Sequence, residues 1–251
     1  MKMREMHKVV SAAGTPAEVG ARIQSLPWKD LQHSLTESGY AVTPAVLTQE
    51  ECAELRGLYT RNELFRSHII MERLRFGRGD YKYFANPLPS LVRELRTHAY
   101  PHLAEVANRW ADELEEATRF PATHAAFLEQ CLHAGQKRPT PLLLHYEEGG
   151  YNCLHQDIYG AIAFPLQMVF LLGRPGHDWQ GGEFVLVEQR PRAQSKVEVI
   201  SADQGCAILF TTRYRPVQGS RGCYRVAMKH GVAQVRGGSR YTLGIIFHDA
   251  E

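Results

Sequence analysis

A histidine and an aspartate stand two positions apart in the segment NCLHQDIYG. If this segment is extended, His155 and Asp157 point to the same side, because side chains alternate between the two faces of a strand. A third residue of suitable type, His230, lies in the apolar run YRVAMKHGVAQV. Two imidazoles and one carboxylate are the ligands of non-haem Fe(II) sites, which leave positions open for a co-substrate and O2. A zinc site with the same ligands is the alternative.

The pair alone is weak evidence, since the 251 residues include 12 histidines. A plain hydrogen bond between His155 and Asp157 at a strand end is the structural alternative. Other histidines lie in GRPGHDWQGG, which predicts an exposed turn, in PLLLHY and in FHDA at the end of the chain. We therefore do not expect the metal to be bound by His145, His177, Asp178, His248 or Asp249.

An arginine follows ten residues after His230, at the start of the predicted strand RYTLGIIFH. A strand next to the His230 strand would point Arg240 into the same barrel. A buried arginine needs a partner, and its planar guanidinium group matches a carboxylate in a bidentate geometry. A metal-chelating 2-oxo acid with a second carboxylate would supply that partner, which indicates 2-oxoglutarate. The alternative is an ordinary salt bridge from Arg240 to a surface acid.

The elements that must position these residues fall into two parts. With 251 residues, 44% of them hydrophobic, the chain can form one sizeable domain. Residues 1–37 predict a loosely attached helical extension, with Pro16 and Pro27 at helix starts and Gly39 at a stop. The helical part of the main domain, residues 38–251, extends to about residue 135.

Three patterns define this helical part. Thr48 and Glu51 have the spacing of a capping box, which predicts a helix from about Thr48 to Tyr59. The segment SHIIMERLRFGRGDYKYF predicts two strands joined at a turn from Gly77 to Asp80. The segment PSLVRELRTHAYPHLAEVANRWADELEEA predicts a long helix that is bent or split before Pro101.

Short apolar runs separated by Gly, Pro and Asp begin at Leu142. The predicted strands are PLLLHY, IAFPLQMVFLL, GEFVLVE, SKVEVIS, CAILFTT, YRVAMKHGVAQV and RYTLGIIFH. Strands that recur without intervening helices predict a sandwich or barrel over residues 140–251. The fold class is therefore α+β, with a mainly β core.

Charge and cysteine content restrict the class of protein. The net charge of +2 is too small to indicate a nucleic-acid binder by itself. No acidic residue lies between Asp203 and Asp249, whereas seven basic residues do, a pattern that suits an anionic ligand. Five cysteines without CxxC spacing, a charged N-terminal segment and the lack of long apolar runs predict a cytoplasmic protein without a membrane segment.

The sequence resembles the Fe(II)/2-oxoglutarate-dependent dioxygenases through the HxD motif, the distal His230 and Arg240. More narrowly, it is similar to a bacterial family of such oxygenases described as oxidative demethylases of damaged nucleic-acid bases. The blocks that carry this resemblance are FGRGDYKYF, AGQKRPTPLLLHYEEGGYNCLHQD, FPLQMVFLL, GGEFVLVEQRPRAQS, RPVQGSRGCYRV and GIIFHDA. The resemblance implies a double-stranded β-helix, a jelly roll, with buttressing helices.

The resemblance also implies a reaction. Fe(II) held by His155, Asp157 and His230, together with 2-oxoglutarate and O2, would hydroxylate a C–H bond and release succinate and CO2. In AlkB-like demethylases a tyrosine nine residues before the HxD histidine binds 2-oxoglutarate, and Tyr146 has this spacing. A core tyrosine is the alternative role for Tyr146. Tyr151 and Asn152 are weaker candidates for the same pocket.

The substrate expected from the resemblance is a modified base in single-stranded or damaged nucleic acid, which would place the protein in DNA repair. The segment RLRFGRGDYKYF offers Tyr81, Tyr83 or Phe84 for stacking on a base, and core packing is their alternative role. AlkB-like demethylases carry a second arginine six residues after the first, where this chain has Ile246. A protein hydroxylase of the prolyl type, a small-molecule hydroxylase and a non-catalytic jelly-roll binding protein therefore stay open.

Overall fold

A computed structural model describes residues 16–157 and 160–251 of the chain. Most of its α-helices precede the β-rich part. They are α1 (Pro16–Gln24), α2 (Trp28–Ser38), α3 (Gln49–Leu58), α4 (Met71–Leu74), α5 (Ser90–Glu113) and α6 (His124–His133). A 3-10 turn at Asn62–Leu64 precedes the second strand.

The strands form two main sheets and one short ribbon. They are β1 (Tyr40–Val42), β2 (Phe65–Ile70), β3 (Gly77–Arg78), β4 (Asp80–Phe84), β5 (Leu142–Tyr146), β6 (Tyr151–His155), β7 (Leu166–Leu171), β8 (Trp179–Gly181), β9 (Phe184–Gln189), β10 (Lys196–Ile200), β11 (Ala207–Thr211), β12 (Tyr214–Gly219), β13 (Gly222–Val232), β14 (Val235–Gly238) and β15 (Arg240–Ile246). The seven-stranded sheet has the order β1-β11-β7-β15-β5-β4-β2, and the six-stranded sheet contains β10-β9-β13-β6-β3 with β12 paired to β13.

The two antiparallel sheets enclose a cavity lined by side chains of both. The helices lie against the outer face of the seven-stranded sheet, where α5 packs on β15. This arrangement confirms the predicted α+β, mainly β architecture of a jelly roll with buttressing helices. All seven predicted strands of the C-terminal part are present.

The local signals for the N-terminal helices are also confirmed. Helix α1 begins at Pro16, and α2 ends at Gly39, whose φ of 77° is the left-handed conformation that glycine adopts at little cost. Thr48 caps α3 by accepting a hydrogen bond from the Glu51 N–H, and the Glu51 carboxylate accepts one from the Thr48 N–H. The predicted capping box is therefore formed.

Residues 16–38 are not loosely attached, which corrects one expectation. Val19, Ile23 and Leu35 are fully buried in the same core as α5. Arg22 of α1 forms a salt bridge with Glu51 of α3, with an N–O distance of 2.6 Å. Both helices therefore contribute to the main core. The domain boundary near residue 38 stays a prediction.

Two further expectations need correction. Helix α5 continues through Pro101 as one element of 24 residues and is not split. Strands β2 and β4 pair as predicted, but the connection contains α4 and β3 and is longer than a turn. Strand β3 pairs with β6 of the other sheet, so this connection links the two sheets.

No helix in the described parts of the chain is long and apolar enough to span a membrane. The five cysteines are free.

Candidate active site

The three predicted metal ligands lie together at the cavity wall formed by the six-stranded sheet. His155 Nε2 is 3.5 Å from Asp157 Oδ1, and His230 Nε2 is 3.3 Å from Asp157 Oδ2. Each residue offers a ligand atom within 4.8 Å of the others, and in the described residues they are the one His/Cys/Asp/Glu group with this geometry. Two imidazole nitrogens and one carboxylate fit Fe(II) with open coordination positions.

Strand pairing brings the ligands together. His155 is the last residue of β6 and lies opposite His230 of β13, although 75 residues separate them in sequence. Asp157 was expected on the same strand, but it follows the end of β6. Its carboxylate is nevertheless next to both imidazoles. Ile158 and Tyr159 of the opening segment lie outside the described residues.

A backbone contact fixes the orientation of one histidine. His155 Nδ1 lies 2.7 Å from the Cys153 carbonyl oxygen, so that Nδ1–H donates and the Nε2 lone pair is left to bind a metal ion beside Asp157. Burial, followed by the proximity of His230, lowers the pKa of His155. Both effects favour the neutral imidazole, which is the form that binds metals. Nδ1 of His230 is buried without a hydrogen-bond partner.

Arg240 is a buried cation at the same cavity. Its side chain is 1% exposed, and Nε and Nη1 have no hydrogen-bond partner in the described chain. Burial lowers its pKa. Strand β15 pairs with β5 and β7, so Arg240 belongs to the sheet opposite His230 and not to a neighbouring strand as expected. The sheets face each other, and both residues therefore line one cavity.

Ion pairs distinguish Arg240 from three other arginines of the basic segment after Asp203. Arg215 is paired with Glu188, Arg225 with Glu116 and Arg236 with Glu183. Arg240 has no such partner, and an anionic ligand would compensate its buried charge.

Tyr146 lies opposite Arg240 on the neighbouring strand β5. It is fully buried, and burial raises the pKa of its hydroxyl group to about 12. The Asn152 amide donates a hydrogen bond of 3.4 Å to this hydroxyl group. Of the weaker candidates, Asn152 thus lines the cavity, whereas Tyr151 is 41% exposed and does not.

The cavity has a volume of about 380 Å³, within the range of small-molecule sites. Tyr81 and Tyr83 line it with rings 5.5 Å apart in an edge-to-face arrangement. Phe84 faces the helices and is fully buried in the core. The expectation that it could stack on a base is therefore wrong. Ile246 lies in the cavity wall, where AlkB-like demethylases have the second arginine.

Gln167 of β7 is a cavity residue that the sequence did not reveal. It is buried, lines the cavity, and its Nε2 has no hydrogen-bond partner. It lies opposite Phe210, whose ring is 4.7 Å from that of His230. A polar residue in the apolar run FPLQMVFLL was the available signal, because strands of such composition bury few amides.

The three histidines considered as alternative ligands lie away from this group, as expected. His145 bonds to Asp80 and Ser239 on the opposite face of the sheet. His177 is exposed beside Asp178, and His248 is buried in the core, where its Nδ1 accepts the Phe164 N–H.

Sequence comparison relates the chain to a known protein family. A family model described as "Oxygenase, catalysing oxidative methylation of damaged DNA" matches residues 79–250. This range includes the triad, Arg240 and Tyr146. The chain belongs to this oxygenase family. Two uncharacterized proteins of Mycobacterium tuberculosis, from strains CDC 1551 and H37Rv, are each 44% identical over 167 residues, which is 66% of this chain and 72% of theirs.

Solved structures agree on the fold. An oxidoreductase of the 2OG-Fe(II) oxygenase family from Burkholderia pseudomallei has a TM-score of 0.52 at 16% identity and covers 89% of this chain and 92% of its own. A prolyl hydroxylase from Trichoplax adhaerens, in complex with a hypoxia inducible factor peptide, has a TM-score of 0.52 at 14% identity and covers 94% of both chains. The family model therefore makes the chain an oxygenase, an enzyme as predicted, and the triad offers three ligands for a metal ion.

Proposed function

We propose that the oxygenase uses His155, Asp157 and His230 to bind Fe(II), and Arg240 and Tyr146 to bind 2-oxoglutarate, and that it hydroxylates a modified nucleic-acid base. One observation carries the cofactor assignment: a cavity of about 380 Å³ contains the ligand triad and, on the opposite sheet, a buried guanidinium group with two unpartnered nitrogens. A metal-binding dicarboxylate satisfies both.

Each residue has a distinct task in this proposal. His155, Asp157 and His230 hold the metal on one side and leave its other positions facing the cavity. When bound, Fe(II) with 2-oxoglutarate supplies the activation of O2 that hydroxylates a C–H bond as succinate and CO2 are released. Arg240 donates charge-assisted hydrogen bonds to the distal carboxylate of 2-oxoglutarate in a bidentate pair. The Tyr146 hydroxyl group, whose raised pKa keeps it protonated, donates to the same carboxylate.

The family description supports a damaged nucleic-acid base as substrate, and with it a role in DNA repair. The cavity wall agrees with this choice, because Tyr81 and Tyr83 present aromatic rings to the space beside the triad. A base taken out of a helical stack is bound in enzymes by such rings and by hydrogen bonds to its edge. The Gln167 amide is available for a hydrogen bond to the edge of the base.

A protein hydroxylase of the prolyl type is the second candidate. It is favoured by the apolar wall that Leu142, Met168 and Ile246 form, where a second arginine is absent. Such a surface suits an aliphatic ring as well as a base.

Succinate release in the absence of a primary substrate tests the enzyme assignment. Full-length protein with Fe(II), ascorbate and 2-oxoglutarate should release succinate, whereas His155→Ala and Asp157→Ala should not. The matched control is His177→Ala, an exposed histidine next to an aspartate away from the cavity. Wild-type protein that neither binds Fe(II) nor forms succinate would instead support a non-catalytic jelly-roll binding protein.

A second experiment separates the substrate classes. Single-stranded oligonucleotides with N-methylated bases and a panel of proline-containing peptides are incubated with the loaded enzyme. Loss of methyl groups and release of formaldehyde from the oligonucleotides is the expected result. Hydroxylation of a peptide, with every methylated base unchanged, would replace the first candidate by the second.

A further inference from the structure

An exposed segment stands at the mouth of the active-site cavity. It comprises Arg73, Leu74, Arg75 and Phe76, which we call the mouth ridge. Arg75 and Phe76 are exposed and also line the cavity, as does Leu154 of β6. These residues mark the place where the cavity opens to solvent.

The ridge is firmly held at both ends. Met71 is fully buried at its start, and the Phe76 carbonyl oxygen accepts a hydrogen bond of 2.8 Å from the Cys153 N–H of β6. Gly77 then passes so close to β6 that a Cβ atom would lie 2.3 Å from the Tyr151 carbonyl oxygen. The strand that carries His155 thus fixes the position of the ridge, so little conformational entropy is lost when a ligand binds.

Exposed apolar side chains are concentrated here. Seven large apolar side chains in the described residues are markedly exposed, and four of them lie on the ridge or on β6: Leu74, Phe76, Tyr151 and Leu154. Phe76 and Leu154 are 47% and 49% exposed. Phe76 and Leu154 also line the cavity, and exposed apolar side chains grouped beside a pocket indicate a binding surface.

The positive charges of the mouth ridge indicate an anionic partner. Within the described chain, the guanidinium groups of Arg73 and Arg75 have no ion pair or hydrogen bond, so both charges are available to an anionic partner. Glu72, the acidic residue next to the ridge, is 4.0 Å from Arg78. Arg75 has a φ of 60°, a left-handed conformation that is unfavourable for arginine.

We propose that the mouth ridge is the docking surface for single-stranded nucleic acid, with Phe76 stacking on a base next to the reacting one and Arg73 and Arg75 contacting the flanking phosphates. The proposal rests on the proposed function and names the form in which its substrate arrives. Proteins bind single strands by this combination of an exposed aromatic ring and free cations. Single-stranded substrate also avoids the cost of removing a base from a duplex.

Two pairs of variants test the ridge on the full chain. Phe76→Ala is compared with Leu132→Ala, since both side chains are about half exposed and Leu132 lies on α6. Arg75→Ala is compared with Arg192→Ala, since both are exposed arginines with a φ of 60°. The probe is a fluorescent oligodeoxythymidylate of about 12 nucleotides, and its binding is measured by anisotropy at several salt concentrations.

The two ridge variants should differ in a characteristic way. Phe76→Ala should weaken binding about tenfold without changing the salt dependence, and Phe76→Trp should restore binding, because stacking is not ionic. Arg75→Ala should lower the slope of log affinity against log salt by about 0.7, the value for one phosphate contact on a single strand. Leu132→Ala and Arg192→Ala should bind like wild type. Unchanged melting temperatures would show that the variants fold.

The outcomes separate this proposal from the proposed function. Ridge variants that bind the oligonucleotide as tightly as wild type would overturn the ridge, even if methylated bases are oxidised. Ridge variants that lose binding, while no methylated base reacts, would support the ridge and overturn base oxidation. An oligonucleotide that wild type does not bind, together with a hydroxylated peptide, would overturn both.

Discussion

Arg240 is the residue whose environment says most about its ligand. Burial costs the Arg240 guanidinium group its hydration, and the contacts with the Tyr146 and Trp179 rings compensate for this loss only in part. A bound dianion would supply the missing interactions. The same charge should therefore destabilise the free protein and stabilise the complex.

The first prediction follows from this asymmetry. Arg240→Met should weaken 2-oxoglutarate binding by about 10- to 100-fold, the effect of losing a hydrogen bond to a charged group. It should not lower the melting temperature of the protein without ligand, because the substitution removes an unpaired buried charge. Binding can be followed by the fluorescence of Trp179, whose ring lies 5.9 Å from the guanidinium carbon.

Arg236→Met provides the control, since Arg236 lies on the preceding strand β14, is exposed and is paired with Glu183. It should bind 2-oxoglutarate like wild type. Equal affinities of Arg240→Met and wild type would contradict the assignment of Arg240.

The second prediction concerns the amide of Gln167. If Nε2 donates to the substrate, Gln167→Leu should raise the KM for the methylated oligonucleotide about tenfold. Steady-state kinetics with varied oligonucleotide gives this value, and Gln130→Leu on the exposed face of α6 is the control. An unchanged KM would mean that the amide does not contact the substrate.

At the scale of elements, Glu51 connects two helices to the core. Its carboxylate accepts the Thr48 N–H at the start of α3 and also binds Arg22 of α1, while the side chain is only 1% exposed. One buried carboxylate thus caps one helix and anchors another. Helix α1 makes a second polar contact with the domain through Gln24, whose amide lies 3.4 Å from His98 of α5.

The third prediction compares the two partners of the capping box. Thr48→Ala should lower the free energy of unfolding by about 1 kcal/mol, the usual value for an N-cap. Glu51→Ala should cost more, about 2 to 3 kcal/mol, because it also removes a charged partner from Arg22. Urea unfolding at neutral pH measures both. Equal losses would show that the Arg22 contact contributes nothing.

Elements with a strong local pattern were predictable from the sequence. The capping box fixed the start of α3, and dense apolar runs predicted strands such as β7 and β11. Strand β12 was missed because its segment RPVQGSRG is rich in turn residues, and only pairing with β13 stabilises it. Non-local pairing also decided that Arg240 faces His230 from the opposite sheet, which no local pattern encodes.

Local patterns were also insufficient for the aromatic residues of β4. The sequence offered Tyr81, Tyr83 and Phe84 alike for stacking, although alternation along β4 places Phe84 on the other face from the two tyrosines, and no local pattern shows which face forms the cavity. That choice depends on the helices, which cover the Phe84 side. The pair of His155 and Asp157 was predictable because its spacing is local, whereas the unpaired state of the Gln167 amide depends on the whole barrel.

At the scale of the molecule, the C-terminal end of the chain is fixed between helices and sheet. Arg96 of α5 donates hydrogen bonds to the carbonyl oxygens of Ile246 and Phe247 and pairs with Asp249. His124 of α6 lies beside this cluster, 2.9 Å from the Phe247 carbonyl oxygen. Burial, together with the nearby charge of Arg96, lowers the pKa of His124 to about 3.

The fourth prediction is that this histidine makes the fold sensitive to acid. The unfolded chain binds a proton at His124 near pH 6.5, but the folded protein does so only near pH 3. Between these values the unfolded state holds more protons, so the free energy of unfolding falls as the pH falls below about 6.5. Burial also lowers the pKa of His248 to about 4, which acts in the same direction.

His124→Gln tests this linkage, since glutamine can donate to the Phe247 carbonyl oxygen but does not titrate. Urea unfolding at several values between pH 7 and pH 4 should give a smaller loss of stability for the variant than for wild type. His248 leaves part of the loss in place. His33→Gln, at an exposed position of α2, should retain the full wild-type dependence. Parallel pH profiles for wild type and His124→Gln would mean that His124 takes up its proton equally in the folded and unfolded states, and that other groups make the protein sensitive to acid.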